Sequence, residues 1–194
     1  MIELRGHATE WCGEGRSVLA RIPLFAYGVF LLWKVGVHPE LFTPFDFLDL
    51  GIHEMGHVAF SPFGEWLGIA GGSIAQVLAP MFGAWRFLRQ QDYFAAAFAL
   101  AWLGESLGNL SVYIADARAQ ALPLANLFGG DPIHDWNYLL TTTHHLAQDH
   151  VYALRVRVLG FICVAAFLLL GGWLLLKIFV ANFKAAPTEG KAGP

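Results

Sequence analysis

The chain has 194 residues, 56% of them hydrophobic and only 14% charged, with a net charge of −3 and a mean hydropathy of +0.51. Charged residues usually make up about 25% of a globular chain, so a soluble domain of this length would struggle to hide its apolar surface, and lipid is the better solvent. No basic run is long enough for a nucleic-acid partner.

Residues 1–17, MIELRGHATEWCGEGRS, read as a polar N-terminal tail. The first apolar run, Val18 to Val37, follows without an A-x-A-like cleavage site and is expected to stay as a span. Arg21 and Lys34 stand near its ends, placed to snorkel, Pro23 is tolerated in a first helical turn, and His38-Pro39 ends the run. Phe45 to Phe60 reads as a helix of 16 residues, below the ~20 needed to cross a bilayer unaided, stopped by Ser61-Pro62-Phe63-Gly64. Trp66 to Trp85 is uncharged and glycine-rich, which suits close helix–helix contact or a local break. Tyr93 to Ala115 is apolar but interrupted by Glu105. A polar stretch, Asp116 to Arg157, separates it from Val158 to Leu176, an uncharged run closed by Lys177. Cys12 and Cys163 lie in unlike settings, and no disulfide between them is expected.

These elements predict an all-α, polytopic integral membrane protein of four to six helices: a tail at 1–17, a single helical membrane domain at 18–182, and a disordered tail at 183–194. By the positive-inside rule, Arg5, Arg16, Arg21, Arg86 and Arg89 put both chain ends in the cytoplasm, with Arg155 and Arg157 against the trend.

The chemistry gathers in DLGIHEMGHVAF, residues 49–60, which contains His53-Glu54-Met55-Gly56-His57. On a helix the two histidines lie one turn apart, about 40° from each other around the axis. They can hand two imidazole nitrogens to one Zn²⁺ ion, while Glu54 reaches a water in the open position and takes its proton as the water attacks a carbonyl. Asp46 and Asp49 share that side of the wheel, and either can accept the free N–H of an imidazole. Leu48, Ile52, Met55 and Ala59 form the apolar back.

The segment GIHEMGHVAFSPFGEWLGIAGGSIAQVLAPMFGA resembles the core of the site-2 protease family of membrane zinc metallopeptidases. His-Glu-Met-Gly-His, Gly71-Gly72 and Ala79-Pro80 match that family's order and rough spacing over residues 46–85. The resemblance implies zinc on His53 and His57, Glu54 as catalytic base, a membrane-protein substrate cut within or beside the bilayer, and a setting in a bacterial inner membrane. The family's third ligand is an aspartate in a late Asp-Gly pair, and this chain has no Asp-Gly pair.

The third ligand is therefore sought elsewhere. Glu105, Asn109, Asp116 and Gln120 make a polar stripe on an otherwise apolar helix, and that stripe is expected to meet the polar face of the motif helix. Asp116 is the leading candidate ligand and Glu105 the next. Glu105 with Asn109 is similar to the glutamate-bearing helix of thermolysin-like peptidases, where aspartate stands at the Asn109 position. The plainer alternative has Glu105 bonding across helices and Asp116 pairing with Arg118. His134 and Asp135 follow a GGDP turn: Asp135 is expected to cap the helix that begins at Trp136 with His134 exposed, or else this segment folds over the metal and supplies a ligand or a transition-state donor. His144, His145 and His150 admit a second metal site, with His145 and Asp149 one helical turn apart, or a solvated face.

Two other functions fit parts of the pattern. One is a membrane di-iron oxygenase of the desaturase or hydroxylase type, for which His53-x-x-x-His57 and His144-His145 are partial clusters. The other is a non-catalytic metal-binding membrane subunit, against which the intact Glu54 argues.

Overall fold

Every regular element among the described residues, 2–123 and 133–185 of a computed structural model, is helical. The chain runs α1 (Ile2–Cys12), α2 (Ile22–Val37), α3 (Pro44–Phe60), α4 (Glu65–Arg89), α5 (Tyr93–Ala115), α6 (Asp135–Thr142) and α7 (Asp149–Ala185), with short 3₁₀ turns at Ser61–Phe63 and Leu146–Gln148. Two of these stretches, Glu65–Arg89 and Leu146–Ala185, are long and apolar enough to cross a membrane, their most apolar 18 residues having mean hydropathies of 1.4 and 2.5; α2 is apolar but shorter.

The first seventeen residues are not a free tail. Ala8, Trp11 and Cys12 recur at i, i+3 and i+4, one face of a helix, and α1 buries them in the main core. Trp11 meets Tyr93 edge-on at 5.8 Å between ring centroids. At the other end, residues 183–185 continue α7 rather than opening a tail; the rest of the expected tail, 186–194, and the GGDP turn at 129–132 lie outside the described residues.

Close backbone contacts hold the helices at short range. The α3–α4 hairpin crosses where Gly56 faces Gly71: a Cβ on Gly56 would stand 2.3 Å from the Gly71 carbonyl oxygen, and one on Gly71 would stand 2.6 Å from that of Gly56. The α5–α7 crossing repeats the device, because a Cβ on Gly104 would lie 2.6 Å from the Gly160 oxygen. Small residues at such crossings let helices pack by backbone contact, as membrane-type bundles do.

Lys34 does not snorkel. It is 1% exposed, and its Nζ lies 3.2 Å from Glu105 Oε1, 3.1 Å from Asn109 Oδ1 and 3.5 Å from Asp46 Oδ1. A lysine reaches for the surface when nothing inside answers its charge; here two carboxylates do. The same node holds the start of α3, for the Thr43 hydroxyl donates to Glu105 and the Thr43 N–H to Asp46. The two polar stripes do meet: Asn109 Nδ2 donates to Asp46, and Ser106 Oγ to Asp49 at 2.6 Å. Arg157 turns inward as well, donating from Nε to the Val35 carbonyl at 2.9 Å and from its second nitrogen to that of Gly36. It thereby satisfies carbonyls that the end of α2 leaves without helical partners.

Candidate metal centre

The motif helix α3 begins sharply because Thr43 precedes Pro44, whose fixed φ suits a first turn, and Asp46 accepts the Thr43 N–H. Seven residues after Asp46, the helix delivers His53 to the side facing α4 and α5, and one turn later His57. Their ring centroids are 4.8 Å apart. Space for them comes from α4, where a Cβ on Gly72 would lie 2.5 Å from His53 Nε2 and 2.7 Å from His57 Nε2.

Both rings have their Nδ1 side tied. His57 Nδ1 is 2.9 Å from the Gly68 carbonyl oxygen, which can only accept, so this nitrogen carries the hydrogen. His53 Nδ1 is 3.1 Å from Gln76 Oε1, and the Gln76 amide is oriented by its donation to the Ser106 carbonyl at 3.4 Å. In a neutral imidazole whose Nδ1 donates, Nε2 presents a bare lone pair. The two Nε2 atoms point at one carboxylate oxygen, Asp135 Oδ2, at 2.8 Å from His53 and 3.3 Å from His57.

His53, His57 and Asp135 form a group whose ligand atoms all lie within 4.8 Å of one another. Three acceptors facing each other repel unless a proton or a cation sits among them. Two imidazoles and one carboxylate are also a zinc donor set, and ligands ~2.1 Å from a tetrahedral ion stand ~3.4 Å from each other, close to the spacing here. Burial by itself pushes the Asp135 carboxyl up, but with protons on the two Nε2 atoms the His53 and then the His57 ring outweigh it and hold the group below the ordinary carboxylate range; a metal ion in place of those protons acts in the same direction. The residues present fit a zinc ion.

Glu54 lies beside this group, buried to 8% exposure, and makes no hydrogen bond or salt bridge to a described residue. It lines the same open cleft, of about 840 Å³, as His53, His57 and Asp135. Its lining is largely apolar, with Leu50, Val58, Ile69, Val112 and Ile133.

No protein-family model, no curated protein and no solved structure matches this chain.

The other expected site residues sit elsewhere. Asp116, the leading third-ligand candidate, is outside the histidine–aspartate group. It closes the end of α5, accepting the N–H groups of Ala121 and Leu122 at 2.9 and 3.0 Å and facing His134 Nε2 at 3.3 Å. Position explains this: Asp116 follows the last residue of α5, three residues beyond Tyr113, whose ring lies 6.1 Å from that of His53. Arg118 pairs not with Asp116 but with Asp149, at 2.6 Å. Glu105 bonds across helices to Lys34 and Thr43. Asp49 accepts from Trp102 Nε1 at 2.8 Å and from Ser106, not from an imidazole, and Asp46 is spent on Asn109, Thr43 and Lys34. The imidazole acceptors are instead Gln76 and the Gly68 carbonyl. Asp135 is not the cap of α6; His134 is, accepting the Asn137 N–H on Nδ1 at 3.2 Å, and it is buried rather than exposed. His145 and Asp149 do not pair, since a 3₁₀ turn intervenes and Asp149 serves Arg118.

Sequence reasoning passed over Gln76, Tyr113 and Gly72 as site residues. Gln76 had a signal, as a lone amide in an uncharged 20-residue run. Tyr113 lies about 80° from Glu105 on the polar side of α5. The role of Gly72 had no local signal, because what it avoids is on another helix.

Proposed function

We propose that the chain is an integral membrane zinc metallopeptidase in which His53, His57 and Asp135 hold the ion and Glu54 is the general base. The observation that carries this reading is the convergence of two Nδ1-tied imidazoles and one carboxylate beside a buried glutamate that makes no hydrogen bond or ion pair among the described residues. Zinc held by three protein ligands supplies a polarised water and an electrophile for a carbonyl. The chain's own residues do the rest. Gly68 and Gln76 keep both rings in the tautomer that offers Nε2 to the ion. Glu54, with no competing partner among the described residues, receives a proton from the attacking water and can return it to the leaving amine. The apolar wall of the cleft suits an extended apolar segment of another membrane protein.

The membrane setting is supported by what the helices leave outside. Phe82 and Trp85 on α4, and Leu154, Leu159, Ile162, Leu169 and Phe179 on α7, are all large, apolar and exposed. An exterior of that kind is costly in water. We read α4 and α7 as spans, α2 and α5 as further spans packed against α7, and α3 as a shorter helix shielded by its neighbours. A bacterial inner membrane remains the setting implied by the resemblance to site-2 proteases. The donor set favours one ion over a di-iron pair, since a single group of three such residues gathers among the described residues.

The test is metal content and peptide hydrolysis of the detergent-purified protein. About one zinc per chain is expected, lost in His57→Ala and held more weakly in Asp135→Ala, where the two histidines remain as ligands. Glu54→Gln should keep the zinc and lose hydrolysis by ~10²–10⁴-fold. Zinc-loaded wild type and Glu54→Gln behaving alike toward every apolar peptide substrate would favour the non-catalytic metal-binding subunit instead. Two irons per chain would favour the oxygenase.

A further inference from the structure

Asp135 differs from the two histidines in how it arrives. His53 and His57 are set by one long helix, whereas Asp135 stands at the first position of an eight-residue helix, α6. A helix this short is marginal by itself, so its start must be held from outside. Trp136 Nε1 donates to Ser73 Oγ on α4 at 3.1 Å, and the residues around Asp135 itself are held by the end of α5. The Asp135 backbone N–H donates to the Tyr113 hydroxyl at 3.0 Å. The Tyr113 ring lies against the His134 ring, 4.4 Å between centroids and 33° between planes. His134 Nε2 faces Asp116 Oδ2 at 3.3 Å, while its Nδ1 accepts from Asn137. Since Nδ1 accepts, Nε2 carries the hydrogen and donates to the carboxylate, so a single neutral tautomer serves both bonds. Asn137 Nδ2 adds a donation to the Ala117 carbonyl at 2.8 Å.

We infer that Tyr113, His134 and Asp116 form a latch that positions Asp135 against the histidine pair, so that the metal affinity of the site is set from the C-terminal end of α5. The inference rests on the metallopeptidase reading and deepens it. None of the three residues is a metal ligand; each acts through Asp135. The geometry is directional. Tyr113 grips the backbone of Asp135 itself, one residue from where His134 is gripped by Asp116, and together they fix the main chain from which the Asp135 carboxylate reaches the histidines. Without the latch, the histidines would still meet an ion as two ligands, and the third would be lost to motion of the α6 start.

The experiment is a zinc competition titration against a chromogenic chelator, on full-length protein in detergent. Tyr113→Phe keeps the ring against His134 and removes the acceptor for the Asp135 N–H. His134→Asn keeps a side-chain acceptor at the helix cap but is too short to reach Asp116. Each is expected to weaken zinc binding about 10–100-fold, the range for residues that orient ligands. The double variant should lose less than the product of the two, because both break one latch. In an Asp135→Ala background neither substitution should change zinc affinity further, and this separates positioning from general loosening. Metal-free helicity and melting should match the wild type; if one variant fails that check, the other carries the test. Variants that bind zinc like the wild type, or that weaken it equally in the Asp135→Ala background, overturn the latch and leave the metal centre standing. A wild type that binds no zinc overturns both.

Discussion

Gly72 has no side chain because two imidazole nitrogens occupy the place of one. An added Cβ would lie 2.5 and 2.7 Å from the two Nε2 atoms, the very atoms that would hold the ion, and it sits on a helix that cannot easily retreat because Gly71 is already in backbone contact with Gly56. Gly72→Ala should therefore displace the rings and lower zinc affinity by at least ~10-fold while the bundle still folds. Chelator competition measures the first, and circular dichroism the second. A fully zinc-competent Gly72→Ala would mean the histidines bind in another rotamer. Gln76 acts at the same scale from the other side of the ring. Gln76→Leu removes the acceptor for His53 Nδ1 and frees the tautomer, and should cost ~10–100-fold in zinc affinity by the same titration.

At the scale of elements, the node of Lys34, Glu105, Asp46, Asn109 and Thr43 joins α2, α3 and α5. Lys34 and Glu105 are 1% and 0% exposed, so removing one partner strands a buried charge. Lys34→Met should cost ~3–5 kcal/mol, and Lys34→Met with Glu105→Gln should recover part of that, because the fully buried carboxylate is gone and only the partly exposed Asp46 is left without its cation. Denaturant titration of the two proteins checks the order. The end of α5 adds an acid sensitivity. Burial works to raise the Asp116 carboxyl, but the Leu122 and Ala121 N–H groups, and then His134, outweigh it and hold the group below its ordinary value. A carboxyl depressed in the folded state contributes its stability above its unfolded pKa of ~3.9. That contribution is lost as pH falls through the lower folded value. Melting followed from pH 6 down to 3 should show this loss in the wild type, and a smaller one in Asp116→Asn.

For the whole molecule, the prediction concerns which surface lies in lipid. Trp33 and Trp85 are 46% and 54% exposed, while Trp11 is 4% exposed. Reconstituted in vesicles of brominated phospholipid, the protein should lose much of its tryptophan fluorescence. Trp33→Phe and Trp85→Phe should each remove more of the quenchable signal than Trp11→Phe. Equal contributions from all three would contradict a lipid-facing exterior on α2 and α4.

The two helices at the site's core were legible in the chain, because apolar runs bounded by Pro, Gly and polar clusters mark their own ends: Tyr93 to Ala115 was expected as it stands, and Phe45 to Phe60 to within a residue; α1, read as a tail, and the first turns of α7, read as polar stretch, carry too many polar residues to show this way. The pairing of His53 with His57 was equally legible, since i, i+4 spacing is a property of one helix. What lay beyond local pattern was every relation between helices. Asp135 is 78 residues after His57 in the chain, and nothing near it distinguishes a ligand from a cap until α6 is seen docked on α5. Lys34 was expected at the surface because its stem favours snorkelling, and only the approach of Glu105 and Asp46 reverses that. Local spacing determined which residues share a face. The tertiary structure alone decided which faces meet, because burial, pairing and a metal's third ligand depend on distances across space, which sequence separation does not encode.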